Sequence, residues 1–107
     1  MSELRERIQE VIQNEPVALF MKGTPQFVMC GNSDRALRAL RDAGAPVTAV
    51  DILLDPAIRQ ELSAVSGWPT IPQLFVGGEL TRVLEKKLGP DYRDAAAERT
   101  VSLLTPA

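Results

Sequence analysis

One thiol sets the chemistry that this chain can attempt. Cys30 is the single cysteine in 107 residues, and there is no histidine. Imidazole-assisted catalysis, Ser–His–Asp triads and imidazole metal sites are therefore excluded. The cysteine stands in Val28-Met29-Cys30-Gly31-Asn32-Ser33, after a turn and before a helical pattern. A sulfur placed there faces free backbone N–H groups at a helix N-terminus. Such groups favour the thiolate and can bring a cysteine pKa from about 8.5 into roughly the 3.5–7.5 range. Lys22 adds positive charge close by in sequence, and Gly31 lets another backbone or a ligand approach closely. The same cysteine also suits a core as a small apolar residue. Ser33 reads as a first-turn residue whose hydroxyl bonds locally. A second chemical feature is Trp68-Pro69-Thr70-Ile71-Pro72. Pro72 either marks a strand start or follows a cis bond. A cis bond would turn the Ile71 backbone outward as an edge able to pair with an extended peptide. Trp68 reads as a packing anchor, with a ligand platform as the alternative.

The elements that must position these groups follow from periodicity. Leu4, Ile8, Val11 and Ile12 predict an amphipathic helix over residues 3–13. Val17 to Met21 is a continuous apolar run, as expected of a strand covered on both faces. Residues 22–25 read as a turn. Residues 31–43 predict a helix with Ala36, Leu37 and Leu40 inward, ended by Gly44 and Pro46. Val47 to Ile52 reads as a strand. Asp55 and Pro56 have the N-cap and first-turn chemistry of a third helix, with Ile58, Leu62 and Val65 buried and Gly67 closing it. Gln73 to Val76 and Glu79 to Leu84 flank Gly77-Gly78 as a hairpin. A last helix is expected around Tyr92 to Leu103. The order α-β-α-β-α-β-β-α predicts an α/β fold, a four-stranded mixed sheet flanked by helices, with the first two strands parallel.

Length and composition fit one small domain spanning 1–107, with 45% hydrophobic and 24% charged residues. A net charge of -2 and a pI near 5.1 offer no basic face for nucleic acid. No segment reads as a membrane span or secretory signal. A lone cysteine without a signal predicts a reducing, cytoplasmic setting.

Several blocks together resemble a known family. Met21-Lys22-Gly23-Thr24-Pro25, Cys30-Gly31-x-Ser33, Asp55-Pro56-x-x-Arg59 and Trp68 to Val76 are similar in sequence and spacing to the monothiol glutaredoxins of the Cys-Gly-Phe-Ser class. The resemblance runs from about Pro16 to Leu80. It implies a thioredoxin-type fold and glutathione bound beside Cys30. Lys22 and Arg59 would pair with glutathione carboxylates, and Ile71 would bond the tripeptide through its backbone ahead of a cis Pro72. Taken without the resemblance, Lys22 and Arg59 are ordinary surface charges. It further implies a [2Fe–2S] cluster shared between two subunits, ligated by Cys30 of each chain and by two glutathione thiols. Such a cluster needs four thiolates. Iron–sulfur assembly or recipient proteins would be its partners.

The chain also departs from that pattern. Asn32 replaces Phe and Val28 replaces the usual Pro. The Gly-Gly-Cys-Asp segment that helps hold the γ-glutamyl end is replaced by Thr81-Arg82-Val83-Leu84-Glu85, with Glu85 as the stand-in for Asp. Three functions stay open on these residues. They are a glutathione-binding cluster carrier, a glutathione-dependent thiol–disulfide oxidoreductase acting through Cys30, and a binding module that has lost part of the glutathione site.

Overall fold

The computed structural model describes residues 3–81, 98–101 and 103. Helix α1 (Glu3–Asn14) leads into strand β1 (Val17–Met21). Two short strands, β2 (Gly23–Thr24) and β3 (Phe27–Val28), form a separate ribbon before helix α2 (Gly31–Asp42). Strand β4 (Val47–Asp51) is followed by a 3₁₀ turn over Ile52–Leu54 and by helix α3 (Pro56–Ser66). Strands β5 (Gln73–Val76), β6 (Glu79–Thr81) and β7 (Glu98–Thr100) complete the order.

The main sheet runs β6-β5-β1-β4-β7. β1 and β4 are parallel, as a helix-linked pair must be, while β5 and β6 form the expected antiparallel hairpin. Gly77 and Gly78 both have positive φ, 60° and 84°, as a two-residue hairpin of matching twist requires.

β1 is central and buried throughout. Its alternate side chains enter two different cores. Ala18 and Phe20 pack with Ile8 and Ile12 of α1, Ile58 and Leu62 of α3, and Phe75. Val17, Leu19 and Met21 pack with Leu37 and Leu40 of α2. Phe20 and Phe75 meet edge to face at 5.7 Å and 83°, a favoured aromatic geometry. Val65 is only half-buried at the margin of the first core. Asp55 caps α3 by accepting from Ala57 N–H at 2.9 Å, Pro56 opens the helix, and Gly67 ends it at φ 73°. An Arg5–Glu61 ion pair of 2.6 Å ties α1 to α3.

Two expectations change. The helix expected over 92–103 is not formed at Glu98–Thr100, which is β7, paired parallel to β4 as a fifth strand. Val101 N–H extends that contact to Ala49 O at 2.9 Å, and Leu103 is buried in the first core. Residues 92–97 of that helix, and residues 82–84 of the expected fourth strand, lie outside the described residues. The turn expected at 22–25 becomes the β2–β3 ribbon. Gly23 makes it possible: its φ is +96°, and a Cβ there would sit 2.2 Å from Phe27 O. No described helix is long and apolar enough to cross a membrane.

Candidate functional site

The parallel pair β1–β4 sends both strands to the same sheet end. β5 starts there, with Gln73 opposite Phe20. Continuing that register past the ladder sets Pro72 level with Met21 and Ile71 level with Lys22. The loop carrying Cys30 leaves from this end too. Topology alone thus gathers Lys22, Cys30 and the Ile71–Pro72 connector.

Cys30 is the N-cap residue of α2, extended at φ -150° and ψ 133°, as an N-cap must be. It is half-exposed, which removes the reading of a core residue. Its thiol pKa is lowered, first by the backbone N–H of Ser33 and then by that of Asn32. Partial burial opposes them, and the Ser33 hydroxyl and the Lys22 charge add smaller pulls downward. The sulfur closes no side-chain cap. Those N–H groups therefore act on its negative charge, for which a thiolate is a far better acceptor than a thiol.

Two hydrogen bonds hold the loop to Lys22, just past β1, and another ties Gly23 to β4. Met29 N–H donates to Lys22 O at 2.9 Å, and Lys22 N–H donates to Ser33 Oγ at 3.1 Å. Gly23 N–H donates to Asp51 Oδ1 at 3.0 Å, and the same oxygen accepts from Leu53 N–H at 2.9 Å. Ser33 is fully buried. Its hydroxyl does not bond within its own turn, as the sequence suggests, but reaches back eleven residues to the end of β1. Phe27 and Met29, in the loop that leads to Cys30, are exposed side chains.

Opposite lies the connector. The Ile71–Pro72 bond is cis. Ile71 is buried and Pro72 half-buried. Arg59, exposed on α3, donates from Nη2 to Pro69 O at 3.3 Å. Gln73 is buried and donates from Nε2 to Trp68 O at 2.8 Å and Thr70 O at 3.1 Å. Trp68 N–H donates to Ser66 Oγ at 3.1 Å.

The structure therefore ties the Lys22 backbone to Met29 and Ser33, on either side of Cys30, and Arg59 to the connector. Glu85, and with it most of the Thr81-to-Glu85 segment, lies outside the described residues. Asp51 and Gln73 carry no sequence signal of a site role by themselves, and Ser33 reads as purely local. In context, a glutamine opening the otherwise apolar run Gln73-Leu74-Phe75-Val76 is the one sequence signal of such a role. Among the described residues no three or more Cys, Asp or Glu side chains gather into a metal-binding group.

The glutaredoxin family model matches residues 17–81. Glutaredoxin 4 of Escherichia coli K12 is 48% identical over 80 residues, 75% of this chain and 70% of that protein. Monothiol glutaredoxin-S11 of rice is 47% identical over 77 residues, 72% of this chain but 16% of that longer protein. In fold, a monomeric truncated mutant of Trypanosoma brucei 1-C-Grx1 superposes with a TM-score of 0.67 at 38% identity, over 76% of this chain and 74% of that one. The mixed α/β architecture is accordingly that of the thioredoxin-fold superfamily. Since the matched stretch runs unbroken from β1 to β6, through both the thiol loop and the cis-proline connector, the chain belongs to the glutaredoxin family.

Proposed function

We propose that this chain is a monothiol glutaredoxin domain that binds glutathione beside Cys30 and carries or transfers a [2Fe–2S] cluster. The observation that carries the reading is the placement of the Cys30 sulfur at the N-terminus of α2. There the Ser33 and Asn32 N–H groups lower its pKa while it stays half-exposed. A thiolate is what a cluster iron requires of a cysteine ligand. Glutathione would lie between the Cys30 loop and the Ile71–Pro72 connector, pairing with the Ile71 backbone. Lys22 and Arg59 would meet its carboxylates as charge-assisted partners, and Glu85 would stand near its γ-glutamyl end.

The donor count supports a shared cargo. One chain contributes one thiolate, and a [2Fe–2S] cluster takes four ligands. Two copies of Cys30 and two glutathione thiols complete the set, in a homodimer bridged by the cluster. Iron–sulfur assembly or recipient proteins would be the partners, in a reducing compartment such as the cytoplasm, where a lone thiol stays free.

Anaerobic reconstitution with iron, sulfide and glutathione should give a coloured dimer by absorption and size-exclusion chromatography. Cys30→Ser should stay colourless and monomeric. A wild-type protein that stays colourless under those conditions removes the carrier reading.

The same half-exposed, activated sulfur favours one second reading, a glutathione-dependent oxidoreductase. The Cys30 thiolate would attack the glutathione sulfur of a glutathionylated client and release the client thiolate. The resulting Cys30–glutathione disulfide would be opened by a second glutathione thiolate, giving glutathione disulfide and free Cys30. With no second cysteine in the chain, the two-thiol route to protein disulfides is closed. Turnover of a small glutathione mixed disulfide measures this activity apart from cluster assembly.

A further inference from the structure

We infer that Gln73 is a positioning residue whose side-chain amide folds the Trp68–Pro72 connector so that the Ile71 backbone faces outward as the ligand-pairing edge. The inference rests on the glutathione reading above.

Gln73 is buried in the sheet, 1% exposed, opposite Phe20 of β1. Its Nε2 donates to Trp68 O at 2.8 Å and to Thr70 O at 3.1 Å. Both N–H donors of one amide are thus spent on one five-residue loop. Arg59 takes the intervening carbonyl, Pro69 O, at 3.3 Å. Three successive carbonyls of the connector are therefore held by side chains. Ile71 comes next, and among the described residues its N–H and carbonyl take part in no hydrogen bond. Lys22, level with it just past β1, has both backbone groups engaged elsewhere. Its N–H goes to Ser33 Oγ and its carbonyl receives Met29 N–H. The unpaired edge at Ile71 is what an extended peptide needs in order to add by backbone hydrogen bonds.

The amide orientation follows from its partners. A flipped amide would point Oε1 at two carbonyl oxygens. In the orientation present, Oε1 is buried without a hydrogen-bond partner among the described residues. An unsatisfied buried acceptor carries a cost and calls for a reason. Leucine at this position would fill similar space without that cost, but it cannot hold two carbonyls. The two carbonyl bonds offset that cost.

Gln73→Leu removes the two donors and keeps the volume. Gln73→Met, unbranched, serves if the leucine variant does not fold. Reduced glutathione is titrated calorimetrically into wild type and variant. Cys30 alkylation by iodoacetamide and thermal unfolding are followed on the same samples. The expected result is glutathione binding at least tenfold weaker, with alkylation within twofold of wild type and cooperative unfolding retained. Binding within twofold of wild type overturns the inference. So does a parallel fall of binding and alkylation, which marks a general structural defect. If wild type itself gives no glutathione heat, the functional reading fails separately. Backbone order parameters of Thr70 and Ile71 then decide on the clamp. A drop in the variant from the rigid range near 0.85 towards about 0.6 sustains it, and unchanged values overturn it.

Discussion

Replacing Ser33 by alanine separates the two jobs that this residue performs. Its hydroxyl oxygen accepts Lys22 N–H at 3.1 Å in a fully buried position. Alanine deletes that acceptor and leaves the donor without its partner, at a cost of about 1–3 kcal/mol. For a domain of roughly 100 residues each kcal/mol is worth about 4–8 °C, so Tm should fall by about 4–24 °C. The second job is electrostatic. The Ser33 backbone N–H is the largest cause of the lowered Cys30 pKa, and its hydroxyl is a smaller one. Alanine keeps the N–H and removes only the hydroxyl. The midpoint of Cys30 alkylation against pH should therefore rise, yet stay below an ordinary thiol. Calorimetry and pH-dependent iodoacetamide kinetics on one preparation give both numbers. A midpoint at the ordinary value of about 8.5 would refute the assignment to backbone dipoles. An unchanged Tm would refute the buried tie to Lys22.

Stability should depend on pH through the same sulfur. The folded-state pKa of Cys30 lies below its ordinary value, so the native state favours the thiolate and stabilisation grows as the proton leaves. This contribution is fully present above the unfolded thiol pKa of about 8.5 and is lost as pH falls through the folded value. The stability difference between wild type and Cys30→Ser, measured by urea unfolding, should rise with pH across that window; a flat or falling difference contradicts it. The two glycines around the site should behave oppositely on substitution by alanine. At Gly23 the new Cβ meets Phe27 O at 2.2 Å and Met29 N at 2.9 Å at φ +96°, costing on the order of 3 kcal/mol. At Gly31 the Cβ meets nothing within 4 Å, and alanine should be neutral or stabilise by up to about 1 kcal/mol. Chemical denaturation of both variants checks the pair.

Much of this arrangement is legible in the residues because local chemistry and burial agree. The Val17-to-Met21 run can only be a strand covered on both faces, and Asp55-Pro56 can hardly be read except as a helix start. Cys30 before a helical pattern already places its sulfur over free N–H groups. What stays hidden is decided by tertiary contact. Glu98-Arg99-Thr100 lacks strand alternation and becomes β7 through pairing with β4, a case of context overriding propensity. Ser33 looks local until the return of the chain brings Lys22 N–H to it. Gln73 looks like a polar misfit in an apolar strand until the connector folds back over it.

The site is assembled mainly from backbone, and this decides how its departures from the Cys-Gly-Phe-Ser pattern act. The two leading pulls on the thiol come from N–H groups of residues 33 and 32. The N–H at position 32 is there whether the side chain is Phe or Asn. The loop is anchored through Met29 N–H and the N–H and carbonyl of Lys22, and the edge proposed to pair with a ligand is the Ile71 backbone. Asn32 is exposed, so exchanging its side chain leaves the helix N-terminus intact while changing what lies over the sulfur. Asn32→Phe should therefore leave the alkylation midpoint of Cys30 nearly unchanged and alter instead its affinity for glutathione. A large shift of the midpoint would show that the side chain at 32, rather than its peptide group, sets the ionisation of the thiol.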